Sequence, residues 1–322
     1  MTRIISTTDR PFDEAWPRQL SQRSTAGELL RIRHGCYVEA ASWSELDDEA
    51  RYLVKLDAVD RTAKLAPVFG GESAGVLWGL PRPALPAGIH VVVPIGSGRR
   101  SANGVKRLAR GPTNLEPVRF GRRFVTGKVA TAVELALRFD FPWAVAVMDR
   151  LLNTKPLAPE SNARPATRDE VAHRIGLLPT GPQRRRATKV LDFADGRAMY
   201  PGESLSRVYM AQLGFPVPEL QHEVVDHTGK SAWTDFYWKD QGLVGEFDGR
   251  GKYLKPEYLQ GRTPAQAVID EKLREDRIRS TGLRVVRWDW ETAVSPPRLR
   301  AELLQAGLPC RPAKPRRLLS IS

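Results

Sequence analysis

Two short apolar segments on either side of a polar linker place the strongest constraint on how this 322-residue chain folds. Residues 231–238 are rich in aromatic and β-branched side chains, and residues 243–247 are apolar. The linker at residues 239–242 carries Asp and Gly. This pattern predicts a β-hairpin. A hairpin determines which side chains share a face, because side chains alternate between the two faces of a strand.

The predicted hairpin brings acidic side chains together. A turn at residues 240–241 places Asp235 opposite Glu246, whereas a turn one position later places Asp235 opposite Asp248. In either register the three carboxylates share one face, with roughly 5 Å between facing Cβ atoms. Carboxylates this close repel one another unless a cation neutralises them, and Mg²⁺ or Mn²⁺ prefers carboxylate oxygen. The sequence therefore predicts a divalent-metal site, the alternative being a hairpin whose acids face water.

A lysine is expected to complete this site. Gly249 and Gly251 allow the backbone to turn tightly and to bring Lys252 back towards the acids. Lys272, on a helix predicted over residues 264–280, is the other candidate. An ammonium group here would orient a water molecule and offset the charge on a phosphate. The sequence leaves the choice between the two lysines open.

Glu203 precedes the hairpin, in the first turn of a helix that begins at Pro201. The sequence allows two roles for its carboxylate. It either positions the metal or its water, or it complements the helix dipole and pairs with Arg207.

The order of these residues resembles the PD-(D/E)xK nuclease superfamily, and within it the branch related to very-short-patch-repair endonucleases. The similarity covers roughly residues 200–306 and is carried by Glu203, Asp235, Glu246, Asp248, Gly249, the charged helix at 271–276 and the strand at 284–288. It implies metal-dependent hydrolysis of DNA, with the metal bound by Asp235, Glu246 and Asp248. This chain departs from the superfamily pattern in having Asp248 where a lysine is usual.

The charge of the chain favours a polyanionic partner, which we expect to be DNA. Its formal net charge is +13, and basic side chains that bind phosphates release condensed counterions. Between residues 99 and 128 there are nine basic residues and one acidic residue. The predicted nucleic-acid-binding residues lie in this segment, in a hairpin around His34-Gly35 and on a helix predicted over residues 182–193: Arg31, Arg33, Arg99, Arg100, Lys106, Arg107, Arg122, Arg123, Arg184, Arg185 and Arg186. For the hairpin and the helix, a merely solvated basic face is the alternative.

The N-terminal part resembles the AbiEi-type antitoxins of abortive-infection systems. The similarity covers about residues 20–155 and rests on short sequences that begin at Arg31, Glu72, His90 and Thr126. It implies transcriptional repression by a winged helix, together with a domain that supports antitoxicity and a cognate toxin as partner. Pro17 is expected to break the first helix, so that little more than one helix precedes the wing. The alternative function is thus a regulator that keeps an inactive nuclease fold as a scaffold.

These patterns predict a multidomain α+β protein whose C-terminal α/β domain is restriction-endonuclease-like, with a mixed central sheet flanked by helices. The predicted segments are a degenerate winged-helix-like region at 1–75, an α+β antitoxin-like domain with basic strands at 76–155, a linker at 156–166, a nuclease-like domain at 167–311 and a basic tail at 312–322. No apolar run approaches the ~20 residues that span a bilayer, and the N-terminus lacks the order of a signal peptide. We therefore expect a cytoplasmic protein without a membrane partner. Cys36 and Cys310 lack the spacing of a zinc site or a disulfide framework.

Overall fold

The computed structural model describes residues 2–98, 100–111, 117–154, 164–249 and 263–311. The chain divides into two compact units. Unit 1 contains Met1–Leu135 and Pro156–Arg164, and unit 2 contains Ala136–Lys155 and Pro165–Ser322. Each unit combines helices with at least one sheet, so the predicted multidomain α+β class is confirmed.

Unit 1 begins with a three-stranded antiparallel sheet in the order β1-β3-β2. Its strands are β1 (Ile5–Ser6), β2 (Leu29–Arg33) and β3 (Cys36–Glu39), and the accompanying helices are α1 (Trp16–Thr25), α2 (Ala40–Ser44) and α3 (Asp48–Thr62). The predicted hairpin around His34-Gly35 is confirmed, and Gly35 has a φ of +74° that favours glycine. The prediction that Pro17 breaks the first helix is wrong. Pro17 lies in the first turn of α1, where its missing N–H costs no intrahelical hydrogen bond.

A five-stranded mixed sheet completes unit 1, in the order β6-β5-β4-β8-β7. Its strands are β4 (Val68–Phe69), β5 (Ile89–Pro94), β6 (Val105–Arg110), β7 (Pro117–Phe120) and β8 (Arg123–Thr126), accompanied by α4 (Gly71–Leu77) and α5 (Lys128–Arg138). All but the last residue of β5 are buried, which explains its nearly continuous apolar sequence. Trp78 packs edge-to-face on Phe120 and donates its indole N–H to the Thr126 carbonyl at 2.9 Å.

Unit 2 is built on a four-stranded sheet in the order β12-β11-β10-β9. Its strands are β9 (Glu219–Val225), β10 (Ser231–Trp238), β11 (Leu243–Asp248) and β12 (Arg284–Asp289), and its helices are α6 (Phe141–Leu152), α7 (Arg168–Gly176), α8 (Gly181–Phe193), α9 (Pro201–Leu213), α10 (Pro264–Ser280), α11 (Trp290–Ala293) and α12 (Pro296–Gln305). Strands β9, β10 and β11 form an antiparallel meander, and β12 is parallel to β11. The predicted mixed sheet is therefore confirmed.

The two faces of this sheet pack against different helices. Leu243, Phe247 and Trp288 belong to a core that also contains Met210 of α9 and Leu299 of α12. Val244 instead packs with Ile278 of α10. Because alternate residues of a strand face opposite ways, Glu246 shares the face of Val244 and lies on the α10 side.

The register of the acidic hairpin follows the first of the two predicted alternatives. Phe236 pairs with Gly245 and Trp238 with Leu243, so that Asp235 stands opposite Glu246. The predicted two-residue turn is wrong, because residues 239–242 form a four-residue loop with a 3-10 turn. Gly242 closes this loop at a φ of +52°. The lengthened loop leaves the register unchanged.

Helix α6 is part of unit 2, although it precedes the proline-rich segment that was predicted as a linker. The Asp149 carboxylate accepts hydrogen bonds of 3.0 and 2.9 Å from the Arg207 guanidinium on α9, and both residues are buried. Arg207 therefore pairs with Asp149 rather than with Glu203. Residues 156–163 of the predicted linker and the predicted tail at 312–322 lie outside the described residues.

Candidate active site

Asp235 and Glu246 form a pair of carboxylates on the face of the sheet that α10 covers. Glu246 is only 3% exposed, and Asp235 is half-buried. The Asp235 carboxylate accepts a hydrogen bond of 2.8 Å from the backbone N–H of Phe247, which fixes it beside the strand that carries Glu246. The hairpin therefore holds two acids together in a partly dehydrated position.

Simultaneous ionisation of Asp235 and Glu246 is electrostatically unfavourable. Burial raises the pKa of Glu246, and the charge of Asp235 raises it further, to about 7, although Arg274 acts in the opposite direction. Buried carboxylates whose repulsion is only partly compensated have an affinity for a further cation.

Helix α10 brings Arg274 to the acid pair. Its guanidinium donates to both oxygens of Glu246, at 2.8 and 3.3 Å, and to the carbonyl of Trp233 at 2.6 Å. It also donates to both oxygens of Glu271, one turn earlier on α10, at 2.7 and 3.0 Å. A capping box between Thr263 and Gln266 begins this helix.

Asp248 belongs to the same network through Arg287 of β12. In the parallel register, Arg287 stands beside Glu246, and its guanidinium lies 3.2 Å from Asp248 and 2.8 Å from Glu271. Burial acts to raise the pKa of Glu271, but hydrogen bonds and charge from Arg274 and Arg287 outweigh it and lower that pKa to about 2. The acidic face is thus an alternating network of carboxylates and guanidinium groups.

The other predicted catalytic residues are placed differently. Glu203 is buried in the first turn of α9, where its carboxylate accepts the backbone N–H of Met199 at 2.8 Å. Lys272 is exposed on α10, and the cation in contact with Glu246 is Arg274. Lys252 lies outside the described residues.

Arg274 and Arg287 were missed as site residues by reasoning from the sequence, which named Lys272 as the candidate on the 264–280 helix. Each nevertheless has a visible signal. Arg274 follows Glu271 at the i,i+3 spacing of neighbouring side chains on a helix. Arg287 follows the apolar residues Val285 and Val286 in a short strand, a pattern typical of a strand covered on both faces, where a charged side chain requires a partner of opposite sign.

The acid pair has the chemistry of a Mg²⁺ or Mn²⁺ site. Such ions are usually bound through one or two carboxylates, with water filling the remaining positions. Asp235 and Glu246 supply two carboxylates, and Asp248 ends the same strand as Glu246. Within the described ranges, no three His, Cys, Asp or Glu side chains are grouped as around a metal ion. The donor set fits a water-rich site of two carboxylates better than a closed protein cage.

Several predicted nucleic-acid-binding residues lie on the surface of unit 1. Arg31 is exposed beside a cavity of about 590 Å³, which Arg33, His34 and Asn103 also line. Arg33 is held by hydrogen bonds to the Thr62 hydroxyl at 2.7 Å and the Asn103 carbonyl at 2.9 Å. Arg100 and Lys106 are exposed, Arg107 donates to the Arg100 carbonyl, and Arg99 lies outside the described residues.

Other arginines that were predicted to bind nucleic acid form ion pairs or hydrogen bonds with residues of their own unit. Arg123 is 7% exposed and is bound to the buried Asp57, and Arg122 lies 3.3 Å from the same carboxylate. Arg123 is therefore an interior residue, which the sequence did not indicate. In unit 2, the arginines of α8 are exposed, but Arg184 donates to the Leu178 carbonyl and Arg186 to the Phe139 carbonyl. Arg185 is also exposed on α8.

The part of the chain that the structure describes contains no helix both long and apolar enough to cross a membrane.

No protein-family model matches the chain. Similar curated proteins are the uncharacterized proteins MT2308 and Rv2248 of Mycobacterium tuberculosis strains CDC 1551 / Oshkosh and ATCC 25618 / H37Rv. Each is 29% identical over 253 residues, which is 76% of this chain and 83% of the relative. The crystal structure of the RV2827C protein from Mycobacterium tuberculosis gives a TM-score of 0.36 at 14% identity, covering 69% of this chain and 83% of that one. The names of these proteins state no activity.

Proposed function

We propose that unit 2 hydrolyses phosphodiester bonds of DNA with the help of a divalent cation. The observation that carries this proposal is the buried Glu246 standing opposite Asp235, since two adjacent carboxylates in a partly dehydrated position bind a hard cation. The net charge of +13 and the exposed basic side chains supply the attraction for a polyanion.

In this proposal Asp235 and Glu246 hold Mg²⁺ or Mn²⁺, and Asp248 assists from the end of β11. The ion supplies Lewis-acid stabilisation of charge on the phosphate and lowers the pKa of a nearby water molecule. The bond between Asp235 and the Phe247 N–H orients one ligand before the ion arrives, which reduces the reorganisation that binding requires. Lys252 and Lys272 remain the proposed lysines for positioning water, and Glu203 the proposed residue for orienting it.

The test is Mn²⁺ binding by titration calorimetry together with nicking of supercoiled plasmid DNA. We expect the wild-type chain to bind Mn²⁺ and to nick, and a chelator to stop the reaction. Asp235→Asn combined with Glu246→Gln should reduce both affinity and nicking rate by more than about 100-fold. The control is Glu291→Gln, which removes a surface carboxylate that lies 3.0 Å from Arg298. Failure of the wild type to bind millimolar Mn²⁺ would contradict the proposal.

A second candidate function is that of a regulator or antitoxin whose sheet is only a scaffold. It is favoured by the arginines, because Arg274 and Arg287 already compensate Glu246 and Asp248 without a metal ion. Exposed basic residues such as Arg31 would then bind DNA, and a cognate toxin would be the protein partner. The same variants separate the two functions. If the sheet is only a scaffold, the wild type and the double variant should bind DNA equally well. Neither protein should then bind Mn²⁺ or nick plasmid DNA.

A further inference from the structure

All five N–H groups of the Arg274 guanidinium are engaged, and their partners fall into two sets. Three N–H groups anchor the side chain: the Nε–H and one N–H of Nη2 go to Glu271, and one N–H of Nη1 goes to the Trp233 carbonyl. The remaining two, one on each terminal nitrogen, both point to Glu246. Arg274 therefore stays in place if Glu246 turns to another partner.

The pair of N–H groups that faces Glu246 has the geometry that binds two oxygens side by side. Parallel N–H donors on the two terminal nitrogens match a carboxylate or a phosphate equally well. In the described structure that partner is the carboxylate of Glu246. A divalent cation bound by Glu246 would compete with this contact, because the carboxylate oxygens would then serve the ion.

We infer that Arg274 is a catalytic residue, whose two N–H groups leave Glu246 when the cation binds there and then bind two oxygens of the substrate phosphate. The inference rests on the proposed function, since it requires a cation at Asp235 and Glu246. It assigns the positive charge at the phosphate to an arginine on α10 rather than to Lys252 or Lys272. Glu271 becomes the residue that keeps the guanidinium in place during the exchange.

This role has an unusual signature, because the same substitution should improve metal binding and impair the reaction. Arg274→Gln removes a positive charge that opposes the cation and competes for its ligand. We expect its Mn²⁺ affinity to rise about tenfold, the size of one like-charge repulsion in a partly solvated site. Its kcat for plasmid nicking should fall by about 100-fold, as for loss of a donor to developing charge, while KM changes little.

Arg274→Lys separates the two parts of the role. It keeps a positive charge near Glu246, so its Mn²⁺ affinity should stay close to that of the wild type. An ammonium group lacks the planar pair of donors, so its kcat should still fall about tenfold. Arg298→Gln is the control, because it also removes one guanidinium group, and the side chains of Arg298 and its partner Glu291 are 63% and 60% exposed. It should change neither quantity.

The experiment measures Mn²⁺ affinity by calorimetry and nicking kinetics on the full chain for these four proteins, with circular dichroism to verify folding. Nicking by Arg274→Gln at the wild-type kcat, or unchanged Mn²⁺ affinity in that variant, overturns the inference and leaves the proposed function standing. Absence of Mn²⁺ binding in both wild type and Arg274→Gln overturns the proposed function and the inference together. If Arg274→Gln does not fold, the Arg274→Lys variant decides, and a wild-type kcat in it overturns the inference.

Discussion

At the scale of single residues, Glu271 connects the two arginines that lie around the acid pair. It accepts hydrogen bonds from Arg274 and Arg287, each of which also contacts an acid of the hairpin. Buried ion pairs are costly to form, and the removal of one partner leaves a charge uncompensated. Loss of Glu271 would leave two half-buried guanidinium groups short of negative charge, so it should affect stability more than loss of a surface carboxylate.

This effect should depend on pH in a defined direction. The pKa of Glu271 is lowered in the folded protein from 4.5 to about 2. A lowered pKa means that the folded state holds the proton less tightly, so the stabilisation is complete above the unfolded pKa and is lost as the pH falls towards 2. We expect Glu271→Gln to cost about 2 kcal/mol at pH 7, allowing for partial exposure, and progressively less below pH ~4.5. Urea unfolding at several pH values, with Glu291→Gln as control, measures this. A difference that stays constant down to pH 3 would refute it.

At the scale of elements, the close approach of α9 to β11 sets the position of the acidic strand. A Cβ atom on Gly202 would lie 2.1 Å from the ring of Phe247, so only glycine fits at this contact. Phe247 follows Glu246 and binds Asp235 through its backbone N–H. The packing of one glycine against one aromatic ring therefore supports both carboxylates.

Gly202→Ala should destabilise unit 2, even though alanine is normally the better residue in a helix. The gain in helix propensity is up to ~1 kcal/mol, whereas overpacking against the ring costs typically ~1–3 kcal/mol. We expect a net loss of stability and weaker Mn²⁺ binding, measured by urea unfolding and calorimetry. Gly176→Ala is the matched control, because Gly176 ends α7 with no atom near its Cβ position, and it should not destabilise the protein. Equal stability of the two variants would show that Phe247 can move without cost.

The sequence predicted the elements of the site better than the contacts between them. The facing of Asp235 and Glu246 follows from the period-two alternation of strands, which the loop length did not disturb. The role of Arg274 depends on which face of the sheet α10 covers, and the amphipathic pattern of a highly charged helix does not reveal this. The role of Arg287 could be predicted only from the parallel register of β11 and β12, which pairs residues about forty positions apart in the sequence.

At the scale of the whole molecule, the two units are interleaved along the chain. Unit 2 takes Ala136–Lys155 from before the segment at 156–164, which belongs to unit 1. The pair of Asp149 and Arg207 is the charged part of the contact between α6 and α9 within unit 2. A sequence boundary drawn at the prolines does not coincide with the boundary of the folded unit, because the partner of Arg207 lies 58 positions earlier.

This interleaving predicts which fragments fold. A fragment of residues 136–322 keeps Asp149 beside Arg207, whereas a fragment of residues 165–322 leaves the buried guanidinium uncompensated and exposes the side of α9 that α6 covers. We expect the shorter fragment to be less stable by at least about 3 kcal/mol. Urea unfolding followed by tryptophan fluorescence compares the two. Equal stability of both fragments would show that α6 is dispensable.

Because α6 packs in unit 2, cutting the chain after this helix should affect unit 2 less than deleting the helix. A protease that cuts the backbone between residues 155 and 163 leaves α6 on the N-terminal peptide, while the buried Asp149 and the rest of its helix remain packed in unit 2. The two peptides would then behave as a fragment-complementing pair, held together by noncovalent contacts that the intact chain already makes. The cut protein should therefore elute as one particle in size-exclusion chromatography, although a fragment that begins after the same site, and so lacks α6, is expected to be less stable.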